Sequence, residues 1–221
     1  MRVLDSRTLR PGAIADAVAG YVQRGGSVIF PTDTVYGIGS DPVIPAAVER
    51  IFVLKGRPRD KPLSLHFGSV EELLEYAPGN VAAALLAEKF LPGALTLIVR
   101  RPAYVDASVT VGLGSVGLRV PRHELCRLIL ERCGPLAATS ANLSGAQAFT
   151  GEGFASDLPA ADVFVDDGPT PLGAESTIVD VSTERPRLVR EGAISVAKLE
   201  EVVGVLERSS VRVAPEKGSE R

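Results

Sequence analysis

The chain contains no tryptophan, and aromatic residues make up only 5% of its 221 positions. That scarcity argues against a surface that stacks nucleobases on aromatic platforms. Cysteine is nearly as scarce. Cys126 and Cys133 fall in one stretch with helical spacing, about 10 Å apart along the axis and too far to bridge. With only His66 and His123 beside them and no Cys-x-x-Cys, a structural zinc site has too few ligands to draw on. No apolar run approaches the ~20 residues of a membrane helix, and no signal-peptide pattern opens the chain. A cytoplasmic protein with no membrane contact is therefore expected. A net charge of -3 argues against binding nucleic acid by bulk charge. The P-loop pattern G-x-x-x-x-G-K-[ST] is absent too, so any ATP must be held another way.

What is present alternates between helix and strand. "AIADAVAGYVQRGG" carries apolar residues at helical spacing and stops at Gly25-Gly26. "PAAVERIFVLKG" begins with a first-turn proline and ends at Gly56. "SVEELLEYA" opens with a capping box at Ser69, "NVAAALLAEKFLPG" and "HELCRLILERCG" read as helices, and "SVAKLEEVVGVLER" as the last one. "SVIFP", "LSLHF", "ALTLIVRR", "SVGLRVP", "PLAATS", "DVFVDDG", "STIVDVS" and "RLVREG" read as strands. Strands outnumber helices in the second half, which predicts a mixed sheet rather than a doubly wound parallel one. The expected organisation is one α/β domain over residues 1–208, followed by a polar tail over 209–221.

Two motifs are set aside by context. "GLGSVG" (Gly112–Gly117) fits G-x-G-x-x-G but leads into a strand, whereas a dinucleotide fold needs it to open a helix. "NLS" at Asn142 matches a glycosylation acceptor in a chain with no secretory signal. Asp162, Asp166 and Asp167 could bind a metal, but they read as solvated acids of a strand-end turn, and no metal ligand is assigned. No Ser-His-Asp set is evident either.

Short polar residues collect beside buried strands, in "PTDTVYGIGSD", "TSANLSG" and "GAESTI". In open α/β sheets such loops present hydroxyls and backbone donors to ligands, although any one of them could be a simple turn. The cations are placed unusually. Lys55, Arg57, Arg59 and Lys61 crowd "KGRPRDKP", with Asp60 the only acid among them. Arg119 and Arg190 each interrupt an apolar strand. A snorkelling arginine or a structural ion pair explains either one alone. Together with the hydroxyls, they suit a pocket for phosphates or carboxylates, equipped for positioning and charge stabilisation rather than covalent catalysis.

At these residues the sequence resembles the YrdC-like family of threonylcarbamoyl-AMP synthases. The family's K-x-R and S-x-N elements appear as Lys55-Gly56-Arg57 and Ser140-Ala141-Asn142. "PTDTVYGIG", "KPLSLHF", "LPGALTLIV", "VGLRVP", "ESTIVDV" and "LVREGAIS" follow in the family's order, from about residue 10 to 205. The resemblance implies a twisted open mixed sheet with flanking helices around a large cationic concave cavity. It implies a nucleotidyltransferase, a transferase of tRNA processing that joins L-threonine, bicarbonate and ATP into threonylcarbamoyl-AMP and pyrophosphate. Mg2+ would accompany the ATP. A downstream transferase would complete threonylcarbamoyladenosine biosynthesis at position 37 of tRNA. The chain is similar to the single-domain type.

By the same match, Arg57, Lys61 (where the family often has Asn), Ser115, Ser140 and Arg190 are ATP-binding candidates. Thr32, Thr34, His66, Arg119, Ser176 and the backbone of Ala138 are threonine-side candidates. Lys55 would stabilise developing phosphate charge, and Lys55, Arg57, Ser140 and Asn142 form the catalytic set. Asn142 could equally orient its loop, and His66 is a hypothetical base for the threonine amine. The alternative is an RNA-binding module that uses the same basic cavity, with salt-sensitive affinity and no turnover. A weak tRNA contact is compatible with either.

Overall fold

A computed structural model describes residues 1–152 and 158–208, so the expected tail over 209–221 lies outside the described residues. Among the described residues, eleven strands form one sheet in the order β1-β8-β2-β3-β7-β4-β6-β5-β9-β10-β11. These are β1 (Arg2–Asp5), β2 (Val28–Phe30), β3 (Gly37–Ser40), β4 (Ser64–His66), β5 (Leu95–Arg100), β6 (Ser115–Arg119), β7 (Leu136–Ser140), β8 (Val163–Asp166), β9 (Thr177–Asp180), β10 (Arg187–Arg190) and β11 (Glu207–Arg208). The sheet is mixed: β3 and β4 run antiparallel to β7, whereas β4 is parallel to β6 and β5 to β9.

The helices are α1 (Pro11–Val22), α2 (Pro45–Lys55), α3 (Val70–Glu75), α4 (Val81–Phe90), α5 (Ala107–Thr110), α6 (Glu124–Cys133) and α7 (Val196–Val203). Their ends follow local chemistry. Proline opens α1 and α2, and Gly56 closes α2 at φ 58°, a left-handed conformation that glycine adopts without a Cβ clash. The Ser69 hydroxyl accepts a bond from Glu72 N at 3.1 Å, as the capping box requires. No helix among the described residues is long and apolar enough to cross a membrane.

Side chains alternate across the strands into two cores. Val28 and Phe30 of β2 face one side, where they pack with Ile14 and Val18 of α1 and Ile129 and Leu130 of α6. Ile29 and the apolar residues of β4, β5 and β6 face the other side, against α2, α4 and α7. The α1–α6 layer packs on β8, β2 and β7. Over β4, β6, β5 and β9 the same side of the sheet carries polar residues instead.

Five elements differ from the sequence reading, among them α5 (Ala107–Thr110), a single turn in a stretch read as no element. β3 falls inside "PTDTVYGIGSD", where glycines and short polar residues interrupt the Val35, Tyr36 and Ile38 that would mark a strand. Its glycines are demanded by packing: a Cβ on Gly37 would come within 2.9 Å of the Phe30 ring, and one on Gly39 within 3.0 Å of Ala137 O. The last helix stops at Val203 because Gly204 takes φ 74°, and Glu207–Arg208 then pair with Arg187 and Leu188. β1 gave no clear pattern in sequence; it pairs parallel with β8.

Candidate active site

The polar side of β4, β6, β5 and β9 forms the floor of a cavity of about 160 Å3. Strand alternation puts Ser64 and His66 on this floor while Leu65 faces the core, and Thr96 there between core-facing Leu95 and Leu97. At Gly117, on β6 between them, the floor has no room for a side chain. A Cβ there would meet Ser64 Oγ at 2.5 Å and Thr96 Cγ2 at 3.4 Å.

The turn after β2 forms one wall. Thr32 Oγ1 donates to Val35 O at 2.6 Å and accepts from Thr34 N at 3.0 Å, which fixes the turn. Arg119 reaches it from β6. Its Nη1 donates to Thr34 Oγ1 at 2.8 Å, its Nη2 to Asp33 Oδ1 at 2.6 Å and its Nε to Gly93 O at 3.2 Å. Burial pulls the Arg119 pKa down and the Asp33 carboxylate opposes that pull. Arg119 thus satisfies both readings of a strand arginine: it is ion-paired, and it lines the cavity. His66, its neighbour in register, is 8% exposed, and its pKa is pulled down to about 3 by burial and then by Arg119. A histidine held neutral this firmly suits hydrogen bonding; it is a poor base for an amine.

The opposite wall comes from the loop before β9 and from β10. Ser176 Oγ lies 2.9 Å from Thr96 Oγ1. Arg190 is fixed by Ser176 O at 2.9 Å and by Glu175 Oε2 at 2.7 Å. Arg57 is held by its own loop, donating to Lys61 O at 2.8 Å and Pro62 O at 2.9 Å. Three arginines therefore line the cavity, against one lining carboxylate, Glu175. A second space of about 300 Å3 shares Val35 and Glu175 with the first and borders Asn142, Ala146 and Thr150.

Of the residues expected at the site, Thr32, Thr34, Arg57, His66, Arg119, Ala138, Ser140, Ser176 and Arg190 line the cavity together. Ala138 sits between its ladder partners Gly39 and Ser64, so a ligand contact through its backbone competes with the sheet. Four expected residues stand apart. Lys55 is 2% exposed and donates to the carbonyl oxygens of Ser140 and of Asn142, the latter at 2.6 Å. Burial and then Arg57 lower its pKa to about 8. Asn142 Nδ2 donates to Leu143 O at 2.9 Å and Ala146 O at 2.8 Å, which orients the loop. Lys61 is exposed at the Arg57 loop. Ser115 begins β6 opposite Arg100, about 13 Å along the strand from Arg119.

Asp33, Ser64, Thr96 and Glu175 were not singled out for the site in sequence. Ser64 and Thr96 did carry a signal, a hydroxyl alternating with leucines along a strand. Asp33 carried none, because the contacts of its carboxylate are with residues 86 and 89 positions away.

A larger cavity of about 960 Å3 lies against α6, where His123 contacts Asp167 at 3.2 Å and Arg127 contacts Glu131 at 3.8 Å; it holds none of the residues expected at the site. Among the described residues no group of three or more His, Cys, Asp or Glu side chains could hold a metal ion. Asp162 is paired to Arg50 and Asp166 to Arg7.

The Sua5/YciO/YrdC family model, described as "Telomere recombination", matches residues 20–192. The chain belongs to this family. It is 38% identical over 190 residues to the threonylcarbamoyl-AMP synthase of Pyrococcus abyssi, covering 84% of this chain and 56% of that protein. It is 39% identical over 207 residues to the Bacillus subtilis protein of the same name, covering 91% of this chain and 60% of that one. The crystal structure of P. abyssi Sua5 complexed with L-threonine superposes with a TM-score of 0.83 at 36% identity, covering 94% of this chain and 62% of that chain. The chain thus spans about three-fifths of the length of these family members.

Proposed function

We propose that this chain is an L-threonylcarbamoyladenylate synthase, a nucleotidyltransferase that makes threonylcarbamoyl-AMP and pyrophosphate from L-threonine, bicarbonate and ATP. The observation that carries the reading is Arg119. A guanidinium has five N–H donors, and three are committed, leaving one on each terminal nitrogen. A guanidinium with an uncommitted N–H on each terminal nitrogen in a small cavity suits a carboxylate, and the hydroxyls of Thr32, Thr34 and Ser176 line the same cavity as groups for an amine and a side-chain hydroxyl. The fold shared with the threonine-bound P. abyssi protein supports the same ligand.

With the threonine carboxylate at Arg119, its amine adds to CO2 drawn from bicarbonate and gives an N-carboxylate, with water released. One oxygen of that group attacks the ATP α-phosphorus and pyrophosphate leaves. Arg190 is paired to Glu175, which borders both spaces, and Ser140 is two residues from Asn142 of the second space, so with Arg57 and Lys61 they would hold the nucleotide there. Lys55 acts from beneath by fixing Ser140 and Asn142. The reaction asks the protein for alignment and positive charge, which these residues supply. Mg2+ would arrive on the triphosphate. Glu175 already pairs with Arg190, so phosphate oxygens and water would fill most of the ion's shell. The product would pass to a tRNA threonylcarbamoyl transferase.

Pyrophosphate release from ATP and bicarbonate, with and without L-threonine, tests the reading. Threonine-dependent release is expected from the wild type, falling by about 10²-fold in Arg57→Ala. Release without threonine would indicate other adenylate chemistry. No release from folded protein would sink the proposal, and RNA affinity would be measured next.

A further inference from the structure

We infer that Asp33 is a positioning residue that aims Arg119 at the substrate carboxylate; this rests on the proposed threonine site. Arg119 lies in a strand, with a long side chain that could take many rotamers in an empty cavity. Three fixed acceptors remove that freedom: Gly93 O, Thr34 Oγ1 and Asp33 Oδ1. Asp33 alone among them is charged, makes the shortest contact, and is as buried as its partner, with side chains 6% exposed on both sides. A charge-assisted bond in such surroundings outweighs its neutral neighbours in setting the plane of the guanidinium.

Asp33 is itself immobilised. Arg122 N donates to the same Oδ1 at 3.1 Å from just before α6, and Leu172 N donates to Asp33 O at 3.1 Å. The carboxylate therefore ties the start of α6, the turn after β2 and the strand arginine to one point. It also explains how a carboxylate-binding arginine stays buried: Asp33 supplies the counter-charge and uses one N–H, so that one N–H on each terminal nitrogen of a cavity-lining guanidinium is left uncommitted. The negative charge of Asp33 weakens the raw attraction for a second carboxylate, so affinity depends on geometry, and geometry is what Asp33 provides.

Calorimetric binding of L-threonine and of L-threoninol, which lacks the carboxylate, to wild type and Asp33→Asn tests this. The wild type should prefer threonine strongly. In Asp33→Asn threonine affinity should fall by about 10²-fold, with threoninol and ATP affinities unchanged. Threonine affinity that is retained, or that falls in parallel with threoninol and ATP as a merely structural defect would produce, overturns the inference. If Asp33→Asn does not fold, Asp33→Glu, which keeps the counter-charge but moves it by one methylene, should lower threonine affinity and spare threoninol; equal losses would overturn it. A wild type that binds ATP but neither threonine nor threoninol would remove the underlying reading as well.

Discussion

Lys55→Met protein will fold, yet will release pyrophosphate at about one-hundredth of the wild-type rate or less. Methionine keeps the length of the side chain and removes the ammonium that binds the carbonyl oxygens of Ser140 and Asn142. Those oxygens lose a donor, a cost of about 1–3 kcal/mol, but a desolvated charge disappears with it, so the two effects on stability oppose. No such offset exists for activity. Ser140 lines the cavity and its backbone is positioned by Lys55, while the positive charge beneath the loop goes too. Melting curves beside initial rates of pyrophosphate release separate the two effects; a mutant as active as wild type would remove Lys55 from the mechanism.

The same lysine gives the pH dependence opposite signs for stability and for rate. Its pKa lies at about 8 in the fold against 10.5 for a free lysine. Between those values the unfolded chain holds a proton that the folded chain has released, so the Lys55 contribution to stability rises with pH across that window. Below about 8 both states are protonated and the fold carries the full desolvation cost. The proposed mechanism uses the ammonium, so kcat/KM for ATP should decline as pH passes about 8, even as stability gains. The alkaline limb should be absent from the residual activity of Lys55→Met. Profiles of kcat/KM and of melting temperature from pH 7 to 10 measure both slopes.

Much of this arrangement is legible in the chain, and what is not has a physical reason. Helix boundaries at Pro11, Pro45, Gly56 and Ser69 follow from backbone chemistry that acts within a few residues. Arg119 stands out because a cation between Leu118 and Val120 must be accounted for. Whether it is an ion pair or a ligand group is not decidable locally, since Asp33 and the cavity reach it only after folding. β3 hides because its glycines are chosen by Phe30 and Ala137 across the sheet and not by strand propensity. The floor residues Ser64 and Thr96 come together because β4 and β5 both flank β6, a neighbourhood set by crossovers. Motif similarity placed Lys61 and Ser115 at the site, yet the first is exposed on the Arg57 loop and the second is far along β6, so neither role follows from the cavity itself.

Gly117 shows the same division. It closes "GLGSVG", a run that looks like a phosphate loop and is not one, because β6 begins at Ser115 within it. Its backbone angle is ordinary for a strand, so conformational freedom does not explain the glycine; space does. Gly117 pairs with Ser64 on β4 and Ile98 on β5, and its missing side chain would point into the floor. Gly117→Val should therefore lose L-threonine binding by 10²-fold or more. Its stability should change by only about 1–3 kcal/mol, the usual cost of overpacking, in part because valine suits a strand. Gly114→Ala, three residues earlier with nothing within 4 Å of the added carbon, should bind threonine like wild type and so controls for changes to the run itself. Calorimetry on the two variants decides the matter. Threonine affinity that survives in Gly117→Val would place the amino acid elsewhere than over β4, β5 and β6, and Arg119 would then be a structural ion pair alone.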